Sequence, residues 1–326
     1  MFLACAGTVV SAHYRHTCAI TSAGGLLCWG WDFHGQTKVP ALTGIATWAA
    51  VATGVTFTCA ITSTGAAQCW GERSQCVVPA VGAATWTAVS AGDVHTCGLT
   101  SDGGISCWGY NSYGQMNTPV LSGTTWAAVS AGAQHTCGIT RAGGMRCWGD
   151  GSKNQTSVPP LSNGDTWTAV SGGFSHTCGI TNRGALLCFG ANDFNQSSVP
   201  ALAGGSTWSA VSAATTHTCG VTSAGSLLCW GANDYHQTNV PMLDSNATWT
   251  TVSTGLTYSC AATSAAGLLC WGRNEYSQIN VPSLSNGLLW GGEAAALPCE
   301  PALKALAVHV LLQRSIVSCF RHRGRD

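Results

Sequence analysis

Fourteen of the eighteen cysteines in this chain fall into seven pairs whose partners stand ten positions apart. The pairs are Cys18/Cys28, Cys59/Cys69, Cys97/Cys107, Cys137/Cys147, Cys178/Cys188, Cys219/Cys229 and Cys260/Cys270, recurring every 38 to 41 residues. A fixed period of about 40 residues marks a repeat architecture, in which each unit buries its apolar face against the next. It also means that one chemical device is built seven times, which suits a scaffold better than a single active site.

The fourth repeat reads TWAAVSAGAQHTCGITRAGGMRCWGDGSKNQTSVPPLSNG. Its first segment, from Trp126, alternates and carries enough β-branching for a strand. HTCGIT and GMRCWG are two further strands, joined by the three-residue loop Arg141 to Gly143, where glycine suits a left-handed residue. TSVP reads as a short fourth strand whose proline belongs on an outer edge. In this hairpin Thr140 and Gly144 close the turn as a hydrogen-bonded pair. Counting outward, Cys137 and Cys147 fall on a non-hydrogen-bonded pair, where Cα atoms lie about 4.5 Å apart. That separation is within reach of a disulfide, so each pair is expected to be an intrablade bridge. In the seventh repeat the glycine moves one place, to Gly267, and a different turn type is expected there. Four strands per unit, seven times, predict an all-β, seven-bladed propeller of short antiparallel strands.

Charged residues make up 8% of the chain and the formal net charge is zero. Neither a nucleic-acid footprint nor an acidic-membrane footprint is present. Regular cysteine pairing implies an oxidising compartment, so the expectation is extracellular or secretory. The opening stretch lacks the basic n-region of a signal peptide, and the chain is read as part of a longer precursor. No run is apolar enough to span a bilayer.

The string AVSAGDVHTCGLTSDGGISCWGYNSYGQ, from Ala88 to Gln115, resembles the repeat of the regulator-of-chromosome-condensation family. The resemblance recurs seven times over about residues 8–282 and implies a seven-bladed propeller. The cysteine-paired form is similar to the secreted and receptor-ectodomain branch, including Crinkly-type receptor-kinase ectodomains. It is also similar to β-lactamase inhibitor protein II, a propeller that works as a protein binder. Guanine-nucleotide-exchange residues of the family have no counterpart here. The second repeat, WGERSQCVVP, is short and carries an extra Cys76. The first has Gly7 where later ones have tryptophan. An eighth repeat starts at Trp290 and decays. The propeller is therefore assigned to 1–289. An off-pattern tail, helical in composition or without a fold of its own, is assigned to 290–326. Cys5 and Cys299 would meet at the seam of a closed ring.

His16, His95, His135, His176 and His217 each precede a cysteine by two residues and share its strand face. A His-Cys-Cys metal site per blade is conceivable. Because Phe57 and Tyr258 fill the same slot while both cysteines stay, the reading is disulfides with structural histidines and no metal. The repeated tryptophans are read as packing between blades, with sugar stacking the alternative. Paired carboxylates, phosphate loops and nucleophile elbows are absent, so no enzyme and no cofactor are expected.

If the strands alternate in direction, the Gly-x-x-His turns and the loops after CWG emerge on one face. That face carries the diversity: Tyr14, Arg15, Asp93, Gln134 and Phe174 on the turns, and Phe33, Tyr113, Phe194, Tyr235 and Tyr276 on the loops. Loop aromatics and arginine are what interface anchors look like, although packing on the neighbouring blade would also explain one ring per repeat. Asn154, Asn195 and Asn246 lie in glycosylation sequons, and the first two also align with left-handed Gly35 and Gly114. The expectation is a non-enzymatic extracellular module binding a protein through this face. The alternatives are a carbohydrate-binding propeller and an intracellular exchange-factor or ubiquitin-pathway scaffold.

Overall fold

The computed structural model describes residues 9–291 apart from 163, 245 and 286. Seven antiparallel three-stranded sheets follow one another along the chain. In the fourth they are Trp126–Ala131, His135–Thr140 and Met145–Gly149. Each first strand packs against the first strands of both neighbours. The opening strand, Val10–His13, meets both Trp48–Thr53 of the second blade and Trp249–Thr254 of the seventh. The blades therefore close into a ring, the expected seven-bladed propeller, with first strands innermost.

Apolar clusters lie between blades and not within them. Ile139 and Met145 of the fourth blade, for example, pack on Trp167, Val170 and Phe189 of the fifth. The middle strand of each sheet is covered on both faces, so His135–Thr140 is buried along its whole length. This is why HTCGIT shows no alternation of burial, its polar His135, Thr136 and Thr140 being buried with Cys137 and Ile139. The first strand enters with a bulge, a register shift between Trp126 and Ala128. That bulge lays the indole flat over Gly138, where a Cβ would sit 2.6 Å from the ring.

Hairpin register follows the cysteine arithmetic. Thr140 N donates to the Gly144 carbonyl at 2.8 Å and Gly143 is left-handed (φ 80°). Cys137 stands opposite Cys147. Disulfides join Cys18 to Cys28, Cys59 to Cys69, Cys97 to Cys107 and Cys137 to Cys147 in the first four blades. They join Cys178 to Cys188, Cys219 to Cys229 and Cys260 to Cys270 in the last three. In all seven the Cα atoms are 4.0–4.1 Å apart.

The two ends of each bridge differ in burial, which the spacing alone does not reveal. The middle-strand cysteines Cys18, Cys59, Cys97, Cys137, Cys178, Cys219 and Cys260 are fully buried. Their partners Cys28, Cys69, Cys107, Cys147, Cys188, Cys229 and Cys270 are half-buried, because the third strand is the outer edge of its sheet. The bridges thus pin the outer strands to the covered middle ones.

The seventh hairpin corrects one expectation: its turn is of the same kind. Thr263 N donates to the Gly267 carbonyl, and Ala266 takes the left-handed position at φ 57°. Register and bridge hold the hairpin while alanine bears the strain. The fourth segment of each repeat is a second correction, since it packs without joining a ladder. Val158 and Leu161 cover the outer side of the interblade cluster. The amides of Ser157 and Val158 are consumed in local turns to Asn154 and Thr156, and Pro159 has none to offer.

Ring closure explains the eighth repeat. Trp290 bridges Thr21, and its amide donates to the Ala266 carbonyl, as Trp126 N does to Gly103. Its indole lies 5.8 Å from Trp29, matching the 5.6 Å pair of Trp126 and Trp148. The C-terminal segment thus begins the first blade's inner strand and Val10–His13 completes it. Cys5, Gly7, Cys299 and Cys319 lie outside the described residues, as does the tail from 292.

Candidate binding face

Interblade junctions outside the second blade spend the repeated polar residues on one network. Between the third and fourth blades, His95 Nε2 contacts Thr136 Oγ1 at 2.8 Å. Thr136 donates its proton to the Gln115 carbonyl, which also receives Trp148 Nε1 at 2.9 Å. Because the threonine proton is committed, the histidine must donate, which fixes the Nε2–H tautomer. Equivalent contacts join His16 to Thr58, His135 to Thr177, His176 to Thr218 and His217 to Ser259 at 2.8–3.0 Å. The five Nδ1 atoms are buried with no partner. Burial holds the imidazoles of His16, His176 and His217 down to about 3 and those of His95 and His135 to about 4. These are neutral structural groups, unsuited to proton transfer near neutral pH. Tyr258, in the histidine slot, donates its hydroxyl to the His16 carbonyl across the ring seam.

The second blade breaks the network. The Phe57 side chain has no hydrogen bond to give, and the short loop with its one-turn Arg73–Gln75 helix supplies no carbonyl to Trp108. Trp108 Nε1 is buried without a partner, and so is Gln75 Oε1. Cys76 is a free, half-buried thiol, pushed up to about 11 by burial and then by Glu72.

With these residues spent inside, diversity is left to the turns and loops, which do share one end of the ring: His16 pairs with Gly30, bringing the first turn beside the loop that follows. The turns are tied around the central mouth by backbone bonds, including Ala133 N to the Gly173 carbonyl and Phe174 N to that of Ala214. His13 reaches Asp93, two blades away, at 2.9 Å. Side chains stiffen the loops. Gln115 Oε1 accepts from Tyr113 N, and Asn111 Oδ1 accepts from Met116 N.

On this frame Phe33 is 80% exposed, while Tyr113, Phe174, Phe194 and Tyr235 stand 41–49% exposed. Tyr14, Arg15, Asp93, Gln134 and Tyr276 are half-buried. Tyr14, Arg15, Phe33 and Tyr276 converge at the seam between the first and last blades. Asp93 and Gln134 stand at the mouth, and the remaining rings are spread around the rim. Sequence reasoning missed Trp31 and His13. Trp31 was detectable, because a tryptophan there replaces Tyr110, Asp150 or Ala191 of other repeats. The three sequon asparagines are exposed, and Asn154 and Asn195 are left-handed at φ 64° and 61°.

The model of the regulator of chromosome condensation (RCC1) repeat matches residues 10–36, 86–115, 126–155, 167–196 and 208–237. Comparison with curated protein sequences gives no match. Among solved structures, the entire ectodomain of the Physcomitrella patens receptor kinase CR4 is 25% identical with a TM-score of 0.66, covering 81% of this chain and 73% of that one. The CRINKLY WD40 ectodomain of the Arabidopsis thaliana receptor kinase ACR4 is 22% identical (TM-score 0.65, 83% and 97% covered). Yeast RCC1 (Prp20), solved with Kap60 bound, is 14% identical (TM-score 0.66, 82% and 80% covered).

Proposed function

We propose that this propeller of RCC1 repeats is a non-enzymatic, extracellular or secreted binding scaffold that engages a protein partner through its loop face. The observation that carries the reading is a division of labour. Histidines, threonines and tryptophans that repeat are buried in the ring, while exposed aromatics and Arg15 are confined to one rim. Aromatic and arginine anchors on a rigid frame are the composition of a protein-binding surface. Seven intrablade disulfides and the likeness to the CR4 ectodomain support an oxidising compartment. Asn154, Asn195 and Asn246 then serve as glycan acceptors.

Buried tryptophans weaken the carbohydrate alternative, since every first-strand indole is at most 8% exposed and offers no stacking platform. Among the described residues no helix is long and apolar enough to cross a membrane.

The test is extracellular proximity labelling with the oxidised protein, followed by affinity measurements on the partner obtained. Tyr113→Ala, Phe194→Ala and Tyr235→Ala are expected to weaken binding together, while substitutions at the opposite hairpin tips, such as Arg141→Ala, leave it unchanged. The reverse pattern, or competition by a simple sugar, would overturn the reading.

A further inference from the structure

Three of the first blade's departures from its siblings meet at the ring seam. Tyr14, Arg15 and Trp31 stand where the fourth repeat has Ala133, Gln134 and Asp150. Tyr14 is left-handed at φ 43°, the only such non-glycine among the seven first turns. Non-glycine residues persist in that region where their surroundings over-determine them, often at functional sites.

The guanidinium of Arg15 lies between two rings, 4.8 Å from the centroids of Tyr14 and Tyr276, and Nη1 donates to Tyr276 Oη at 2.8 Å. One of its five donors is used there. Neighbouring basic side chains already contact carboxylates: His13 meets Asp93, His34 meets Glu72, and Arg273 meets Glu275. No carboxylate among the described residues lies within ion-pair distance of Arg15. Beside it, Trp31 stacks in parallel with Phe33 at 6.2 Å and meets Tyr14 and Tyr276 edge-on. Phe33 forms the outer leaf and is 80% exposed. The result is a fixed cation with open donors next to a flat apolar shelf.

We infer that this seam patch docks an acidic segment of a protein partner, with a carboxylate on Arg15 and an adjacent bulky apolar side chain on the Phe33–Trp31 shelf. The inference rests on the loop-face reading and sharpens it to one sector and one chemistry. Charge complementarity selects the carboxylate, which the arginine fork can grip in a bidentate pair. Immobilisation between rings lowers the entropic cost of forming that pair. A polyanionic glycan fits less well, because a stripe of unpaired cations is what it would need and the neighbouring basic side chains already face carboxylates.

The experiment pans a displayed library of random peptides on the full oxidised chain. Enriched peptides are expected to carry Asp or Glu within two residues of Phe, Trp or Leu. Arg15→Met and Phe33→Ser should each weaken them by at least ~10-fold, a change of about 1.4 kcal/mol. Phe33 is exposed, so its replacement leaves the fold intact, and Arg141→Ala at an opposite hairpin tip should have no effect. Peptides that respond to Tyr113→Ala and not to Arg15→Met would overturn the inference and leave the loop-face reading standing. Peptides that map to the hairpin tips would overturn both. An unenriched library, or displacement of the peptides by a sulfated glycan, counts against the inference.

Discussion

Acid should loosen this ring in proportion to its buried histidines. Burial lowers the imidazole pKa to about 3 in His16, His176 and His217 and to about 4 in His95 and His135. An unfolded histidine titrates near 6.5, so between these values the unfolded chain binds protons that the folded chain refuses. Stability is therefore complete above about pH 6.5 and is lost as pH falls toward 4 or 3, at about 1.4 kcal/mol per pH unit per histidine. For five such residues the slope approaches ~7 kcal/mol per unit, steep against total stabilities of about 5–15 kcal/mol. His135→Phe isolates one contribution. The second blade already seats Phe57 beside Gly54, and Gly132 provides the same room beside His135. At pH 7.5 the variant loses the bond to Thr177 and should be less stable by about 1 kcal/mol. It carries no protonation cost, so it should overtake the parent near pH ~6, where that cost reaches about 1 kcal/mol. Urea unfolding of the oxidised proteins at a series of pH values reads the crossing. Parallel curves, with the deficit unchanged from pH 7.5 to 5, would refute the assignment of His135 as a buried neutral donor.

Other substitutions test single contacts. Ala266→Gly relieves the left-handed alanine of the seventh hairpin and should stabilise the protein by about 0.5–1 kcal/mol, after the extra entropy of an unfolded glycine, read as a rise in thermal midpoint. Trp148→Phe gives up the bond to the Gln115 carbonyl whereas Trp108→Phe gives up none, so the former should cost about 1 kcal/mol more in urea unfolding. Trp290→Ala empties the seam site packed against Trp29 and should cost about 3–5 kcal/mol, with hydrogen exchange accelerated first in Val10–His13.

What was legible in the sequence was local. Repeat length is read from the recurrence of the cysteine pairs, while the strands, the cysteine register and the left-handed glycine of six turns follow from hairpin arithmetic within one repeat. The seam was legible only in part: Trp290 stood out as the start of an eighth repeat, but not its partners. Leu289 meets Ser22 across 267 positions, and nothing local to Trp290 announces that it opens the first blade. The fourth strand failed for a physical reason, since turn formation and Pro159 remove the donors a ladder needs. At the candidate face, individual loop aromatics could be picked from the repeat alignment. Their convergence could not, because Arg15 and Tyr276 are neighbours only once the ring closes.

The most direct measurement is hydrogen exchange of the oxidised chain with and without its bound partner. The account predicts slowed exchange in the loops after the third strands and in the turns beside them, strongest around Tyr14 to His16 and Trp31 to Gln36, with the opposite hairpin tips unaffected. Protection confined to those tips, around Gly24, Gly143 and Gly225, would contradict it.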